Sequence, residues 1–95
     1  MFIIDIHYKK PIEVIEQFLV AHREFLEEGY KKNYFVASGP KNPRTGGIIV
    51  SQLKDKNELE SILKNDPFLL NDIAEYHFIE FNPVKYHKDF VSFVT

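Results

Sequence analysis

An apolar stripe at helical spacing, which begins just after Pro11, constrains the fold of this 95-residue chain more than any other feature. The stripe consists of Ile12, Ile15, Leu19, His22 and Leu26. Steps of three and four residues share one face of an α-helix, and the intervening charged residues fall mostly on the opposite face. The pattern predicts an amphipathic helix of about five turns, with Gly29 as a left-handed cap near its end. His22 is the polar exception within an otherwise apolar stripe.

Segments with strand composition surround this helix and a second, shorter one. The predicted strands are residues 2–8, 33–38, 48–53 and 74–81. Asp55 or Asn57 caps the second predicted helix, whose inner face carries apolar side chains from residue 59 to 63. The order β-α-β-β-α-β is that of the ferredoxin-like α+β fold, in which two helices cover one face of a four-stranded antiparallel sheet. The aromatic tail, residues 84–94, predicts one more short strand.

The predicted strands are apolar on both of their faces. In the first strand, Phe2, Ile4 and Ile6 alternate with Ile3, Asp5 and His7. A sheet with two apolar faces has to be covered on both sides, and the helices cover only one. The second cover is therefore expected to be the sheet of another copy, which predicts a homodimer. The alternative is that the tail of the same chain folds back over the open face.

Composition excludes several classes of protein. The net charge is −2 and the twelve basic residues are scattered, so we expect no nucleic-acid partner. Cysteine is absent, which excludes disulfides and thiolate chemistry. The N-terminal apolar run is broken by Asp5 and His7, unlike a signal peptide, and no run approaches the roughly 20 residues of a membrane span. We expect a soluble cytoplasmic protein with one domain over residues 1–95 and no membrane partner.

His22 and Asp66 are the residues most suited to chemistry. Within the stripe, His22 points at the sheet, where it is either a core histidine with both nitrogens satisfied or a proton-transfer group. The second role needs a partner that orients the ring, and Asp66 in "NDPF" is the best candidate. An aspartate before a proline is also the ordinary N-cap of a short helix. That role does not prevent the same carboxylate from facing a pocket.

Glycine-rich segments near two strand ends predict the rim of that pocket. Ser38, Gly39 and Pro40 end the second strand, where glycine allows close backbone approach and serine supplies a hydroxyl. Gly46 and Gly47 begin the third strand, and their exposed N–H groups are candidates to hold an anionic group with Arg44 nearby. An ordinary turn accounts for the same glycines.

Other kinds of site fit the sequence less well. Asp5, His7 and His77 share a predicted sheet face, but compact metal-binding spacings such as HxH or HExxH are absent, so we expect no metal and no cofactor. Ser38 lies on no G-x-S-x-G elbow, which disfavours a serine hydrolase. The third strand lacks the aromatic pair with which an RNA-binding sheet stacks bases.

Taken together, "AHREFLEEGYKKNYFVASGP" and "NDPF" give the chain a resemblance to the YCII-related domain family. The resemblance covers the first through the fourth strand. It implies a dimeric α+β barrel of the muconolactone-isomerase-like kind. It also implies that His22 and Asp66 form a catalytic pair, with Ser38, Gly39 and Pro40 at the rim. Family members with an assigned activity include dehydrochlorinases of chlorinated aromatic diols, which are lyases.

Two hypotheses follow for the function. In the first, the chain is a small-molecule enzyme in which His22 is the general acid or base and Asp66 holds its tautomer, for an elimination, isomerisation or hydrolysis. In the second, it is a non-catalytic ligand-binding or accessory module with a structural His22–Asp66 hydrogen bond, or a scaffold defined by dimerisation alone. Access of a ligand to His22 Nε2 distinguishes them.

Overall fold

Strands and helices alternate along residues 1–94, the part of the chain that the computed structural model describes. The elements are β1 (Phe2–Tyr8), α1 (Ile12–Gln17), α2 (Leu19–Lys31), β2 (Phe35–Pro40), β3 (Gly46–Ser51), α3 (Lys56–Leu63), α4 (Pro67–Leu70), β4 (Ala74–Glu80) and a 3-10 helix (Lys88–Phe93). Asp55 caps α3 as the sequence predicts, since its side chain accepts a hydrogen bond from the N–H of Asn57. Among residues 1–94, no helix is both long enough and apolar enough to cross a membrane.

The four strands form one antiparallel sheet in the order β2-β3-β1-β4. This order, together with the sequence of elements, confirms the predicted ferredoxin-like α+β fold. β1 and β3 are central, so they are paired on both sides. β3 begins at Gly46, two residues before the predicted strand. Glycine is required at this position because the backbone of β1 is close: an added Cβ would lie 1.7 Å from the Ile6 carbonyl oxygen.

The core lies between the helices and one face of this sheet. The alternation of β1 places Phe2, Ile4 and Ile6 on that face, all of them buried. Ile49 of β3 joins them from the neighbouring strand. The helices and their connections supply the remaining buried side chains, chiefly Ile15, Leu59, Leu63, Phe68 and Ile73. Burial of these apolar side chains is what fixes the helices on the sheet.

The predicted five-turn helix is in fact two helices that meet at Phe18. The backbone of Phe18 departs from helical geometry, with φ −110° and ψ 3°, and its N–H donates to the Ile15 carbonyl three residues back. α2 then starts anew, and the N–H of His22 donates to the carbonyl of Phe18. The break leaves the spacing from Ile15 to Leu19 unchanged, so side-chain periodicity does not reveal it. His22 consequently lies in the first turn of α2.

Two further expectations from the sequence are wrong. Gly29 is not a left-handed cap, because α2 continues to Lys31 and the residue with a positive φ is Asn33, at 61°. The tail forms a 3-10 helix instead of a strand, and it begins where the side chain of His87 accepts a hydrogen bond from the N–H of Asp89. Both outer strands of the sheet have their partners on one side only, and the tail pairs with neither.

The sheet face away from the helices carries an apolar row. Ile3 of β1 lies beside Val50 of β3 and Ile79 of β4 in the strand register. Ile79 remains 55% exposed, so the tail of this chain does not cover it. The homodimer predicted from this face therefore stays a prediction, and the row of three side chains is where it is to be tested.

We expect Ile79→Lys to convert a dimer into a monomer, because a buried ammonium without a partner would oppose sheet-to-sheet contact. Analytical ultracentrifugation at high protein concentration measures the change. Val20→Lys is the matched control, because Val20 is an equally apolar side chain, 69% exposed, on α2. A wild-type protein that sediments only as a monomer would contradict the predicted dimer.

Gly29→Ala should destabilise the fold by about 1–3 kcal/mol, although alanine is the better helix former. The reason is contact with Phe35: an added Cβ would lie 2.1 Å from Cε2 of that buried ring. Chemical denaturation measures the free energy of unfolding, and Lys31→Ala at an exposed position of the same helix is the control. A Gly29→Ala protein as stable as wild type would show that the ring has room to move.

Candidate active site

A pocket of about 400 Å³ opens between α2 and the sheet. Its walls are mainly apolar, and α2, β1, β2 and β3 all contribute to them. The lining residues are Ile6, Tyr8, Leu19, His22, Arg23, Leu26, Ser38, Gly39, Pro40, Arg44, Gly47, Ile48, Ile49 and Phe68. The volume lies within the range of small-molecule sites. Of the eight residues that the sequence analysis assigns to this site, six line the pocket, Asp66 contacts one of the six, and Gly46 is not part of the lining.

His22 is held at the pocket by two contacts. Its Nδ1 lies 2.8 Å from Oδ1 of Asp66. Its ring stacks flat on that of Phe68, with 3.9 Å between centroids and 6° between planes. Only 8% of the residue is exposed. The hydrogen bond and the stacking together fix both the position and the plane of the imidazole.

Asp66 is both a helix cap and the partner of His22. Its backbone is extended immediately before Pro67, and its Oδ1 accepts a hydrogen bond from the N–H of Phe68 at 3.1 Å. The other oxygen, Oδ2, accepts a hydrogen bond from the hydroxyl of Tyr76. The carboxylate is fully buried, and a buried charge is tolerated only when several donors surround it. Asp66 therefore caps α4 and contacts His22 at the same time.

Tyr76 is the residue of this cluster that sequence reasoning missed. It lies on β4, whose alternation directs Ala74, Tyr76 and Phe78 toward the helices. Burial, reinforced by the neighbouring charge of Asp66, raises the pKa of the Tyr76 hydroxyl far above its ordinary value. The hydroxyl therefore keeps its proton and donates a hydrogen bond to the carboxylate. A tyrosine at an inward strand position is the signal that could have indicated a buried acceptor.

The second ring nitrogen of His22, Nε2, differs from Nδ1 in its surroundings. Within residues 1–94, Nε2 makes no hydrogen bond. It is also not among the polar atoms that are fully buried without a partner, so it remains accessible from the pocket. An ionised carboxylate only accepts hydrogen bonds, so Asp66 requires the proton of a neutral imidazole to be on Nδ1. The lone pair of Nε2 is then available to a molecule in the pocket.

The segment Ser38–Pro40 forms part of the pocket wall at the end of β2. The hydroxyl of Ser38 lies 2.6 Å from that of Tyr30, which anchors β2 to α2. An added Cβ on Gly39 would meet no atom within 4 Å, so the space beside this residue is open. The structure thus brings the predicted rim residues to the pocket, while their role in binding stays a prediction.

Gly46 and Gly47, where the sequence predicts an anion site, do not have the exposed N–H groups that such a site needs. Both glycines are buried within β3 and pair with β1, so their N–H groups do not form an exposed loop. The reason is that the predicted loop residues belong to a central strand. Arg44 does line the pocket, and its Nη1 lies 3.3 Å from Oε1 of Glu16. Arg23, which the helical pattern placed on the outer face, is a second cation at the same pocket.

The Asp5 and His7 side chains lie on the opposite face of the sheet. His7 is 3.1 Å from Asp5 and its ring centroid is 5.3 Å from that of His77. Lys41 lies 2.5 Å from the Asp5 carboxylate and holds the pKa of that carboxyl below its ordinary value. This polar cluster shares no wall with the pocket.

A four-stranded antiparallel sheet, helices on one face and a histidine–aspartate pair beside a pocket define a class of small α+β proteins. Within that class, the chain belongs to the YCII-related domain family, whose model matches residues 1–82. No curated protein matches the chain significantly.

Among solved structures, the chain is similar to 5-chloro-2-hydroxyhydroquinone dehydrochlorinase (TftG) from Burkholderia phenoliruptrix AC1100, in complex with 2,5-dihydroxybenzoquinone. The TM-score is 0.71 at 20% identity, and the match covers 94% of this chain and 98% of the other. At this identity the likeness establishes the shared fold.

We expect Asp66→Ala to cost roughly 3–5 kcal/mol of unfolding free energy, because it removes an acceptor that three buried donors share. The matched control is Asp55→Ala, which removes the cap of α3 alone and should cost about 1 kcal/mol. Equal losses in the two variants, measured by chemical denaturation, would show that Asp66 acts only as a cap.

Proposed function

We propose that the chain is a small-molecule enzyme in which His22 transfers a proton through Nε2 and Asp66 holds the ring. The observation that carries the proposal is the 2.8 Å contact between Asp66 and Nδ1 at a ring that lines a pocket of about 400 Å³. A purely structural histidine would use both nitrogens within the protein. Here one nitrogen orients the ring and the other is left for chemistry.

Proton transfer at this site follows from the tautomer. Neutral His22 accepts a proton on Nε2, and the resulting imidazolium carries its positive charge next to the Asp66 carboxylate. The attraction stabilises the charged intermediate and holds the ring in place while the proton is transferred onward. His22 thus acts as a general base in one half of the reaction and as a general acid in the other.

The pocket favours a small substrate with an apolar body and an acidic or anionic substituent. Isoleucine, leucine and phenylalanine side chains form most of the wall, while Arg23, Arg44 and the hydroxyl of Tyr8 supply donors. A single-ring phenol or diol satisfies both conditions, because its face contacts apolar side chains and its oxygens accept from the cations. Such compounds also match the ligand and the activity named for the structural neighbour.

A lyase-type elimination is the reaction that we propose for such a substrate. His22 removes a hydroxyl proton from a chlorinated dihydroxybenzene. The electron pair of that O–H bond forms a C=O bond, the ring double bonds shift, and the ring carbon that bears chlorine takes up a proton from the His22 imidazolium. His22 then removes the proton of the second hydroxyl. The electron pair of this O–H bond forms a second C=O bond, a ring double bond shifts, and the C–Cl bond breaks with chloride taking its electrons. One proton and one chloride ion leave, so the step needs no oxidant. Arg23 or Arg44 beside the phenolate oxygen would lower its charge density and favour deprotonation.

The proposal is tested with 5-chloro-2-hydroxyhydroquinone, a chlorinated trihydroxybenzene, and a panel of chlorinated dihydroxybenzenes as substrates. We expect wild type to release chloride, and His22→Gln to lower kcat by about 10²–10⁴ with a small change in KM, since a general base contributes this much. Chloride release and stopped-flow absorbance measure turnover. His87→Gln, at an exposed position of the tail, is the control.

Two outcomes would contradict the proposal. Wild-type turnover by His22→Gln would exclude this residue as the base. Binding of 2,5-dihydroxybenzoquinone at the His22 ring, seen by NMR, without release of chloride from any compound of the panel would favour the non-catalytic binding module.

A further inference from the structure

We propose that Tyr76 is a positioning residue for the His22–Asp66 pair, an inference that rests on the proposed function of that pair. Its hydroxyl fixes the rotation of the Asp66 carboxylate, and the carboxylate in turn fixes His22. Tyr76 does not line the pocket, so it acts on a ligand only through these two side chains.

The geometry distributes the donors over both oxygens of Asp66. Oδ1 accepts from Nδ1 of His22 at 2.8 Å and from the N–H of Phe68 at 3.1 Å. Oδ2 accepts from the hydroxyl of Tyr76. Without Tyr76, both remaining donors would lie on the same oxygen, and the carboxylate could turn about its bond to Cβ. With Tyr76, the three donors contact both oxygens and fix the plane of the Asp66 carboxylate.

Three separate elements meet on this carboxylate. His22 comes from the first turn of α2, Phe68 from α4 and Tyr76 from β4. α4 has only four residues, and the hydroxyl of Tyr76 ties its cap directly to β4. The position of His22 therefore depends on β4 as well as on its own helix.

A hydroxyl at this position is not needed for packing. The inward neighbours on the same strand are Ala74 and Phe78, and a phenylalanine at 76 would fill the same space. The hydroxyl loses its hydration on burial, and among residues 1–94 the carboxylate of Asp66 is the group that compensates for that loss. Because the hydroxyl keeps its proton, it is a permanent donor and does not exchange roles with the carboxylate.

Tyr76 also limits how strongly Asp66 attracts the imidazolium. Each donor on a carboxylate spreads its negative charge, and a carboxylate with fewer donors interacts more strongly with those that remain. Loss of the Tyr76 hydroxyl should therefore strengthen the hydrogen bond between Asp66 and Nδ1 of His22 while loosening the orientation of the ring. These two effects have separate experimental readouts.

The test is Tyr76→Phe in the full chain, followed by NMR of ¹⁵N-labelled histidine at one fixed pH. We expect the resonance of the Nδ1 proton of His22 to move downfield, because its hydrogen bond to a carboxylate with fewer donors becomes stronger. With a substrate from the panel above, kcat should fall roughly tenfold to a hundredfold, as for a misplaced catalytic group, with KM little changed. Tyr34→Phe is the control, since its ring packs on the same core without touching Asp66.

An unchanged Nδ1 proton resonance in folded Tyr76→Phe would overturn the proposal, whatever the enzyme assays show. Failure of the enzyme proposal, by contrast, would appear as absent turnover in wild type with the change in that resonance intact. If Tyr76→Phe does not fold, the proposal is tested on the wild-type protein by NMR. The hydroxyl proton of Tyr76 should give a slowly exchanging downfield resonance with cross-peaks to the β-protons of Asp66. Absence of that resonance would also overturn the proposal.

Discussion

The buried carboxylate of Asp66 is the interaction on which the rest of the site depends. A fully buried negative charge is costly, and this one is tolerated because an imidazole, a main-chain N–H and a phenol all donate to it. Each donor belongs to a different element. The requirement to satisfy one charge therefore fixes where α2, α4 and β4 stand relative to each other, and the pocket takes its shape from that arrangement.

Fold and site share side chains to an unusual degree. Phe68 is a fully buried core residue, the platform on which His22 stacks and the first N–H that Asp66 caps. Ile6 and Ile49 belong to the same core and also line the pocket. Since the core ends where the pocket begins, a substitution at these positions changes stability and ligand space together.

Much of the fold could be predicted from the sequence because it depends on periodicity and local chemistry. Short segments of sequence determine the alternation of β1 and the cap at Asp55. The order of elements follows once each segment is assigned. Asp66 was a candidate partner of His22 because of its place in "NDPF", and the resemblance supported the pair, but no local pattern links two residues that are 44 positions apart. For Tyr76 the signal is a tyrosine at an inward strand position, which does not identify the carboxylate that it contacts on another element. The break at Phe18 was hidden because it preserves the apolar spacing on both sides.

The end of β2 has a consequence for how the molecule meets its neighbours. β2 is an outer strand, and outer strands offer unpaired main-chain groups to any other extended chain. This strand has a register irregularity between Phe35 and Ala37, and it ends in Pro40, which has no N–H to donate. Both features interrupt the regular ladder that an added strand would need. The residues that border the pocket thus also discourage edge-to-edge polymerisation, which keeps the mouth of the pocket clear in a crowded solution.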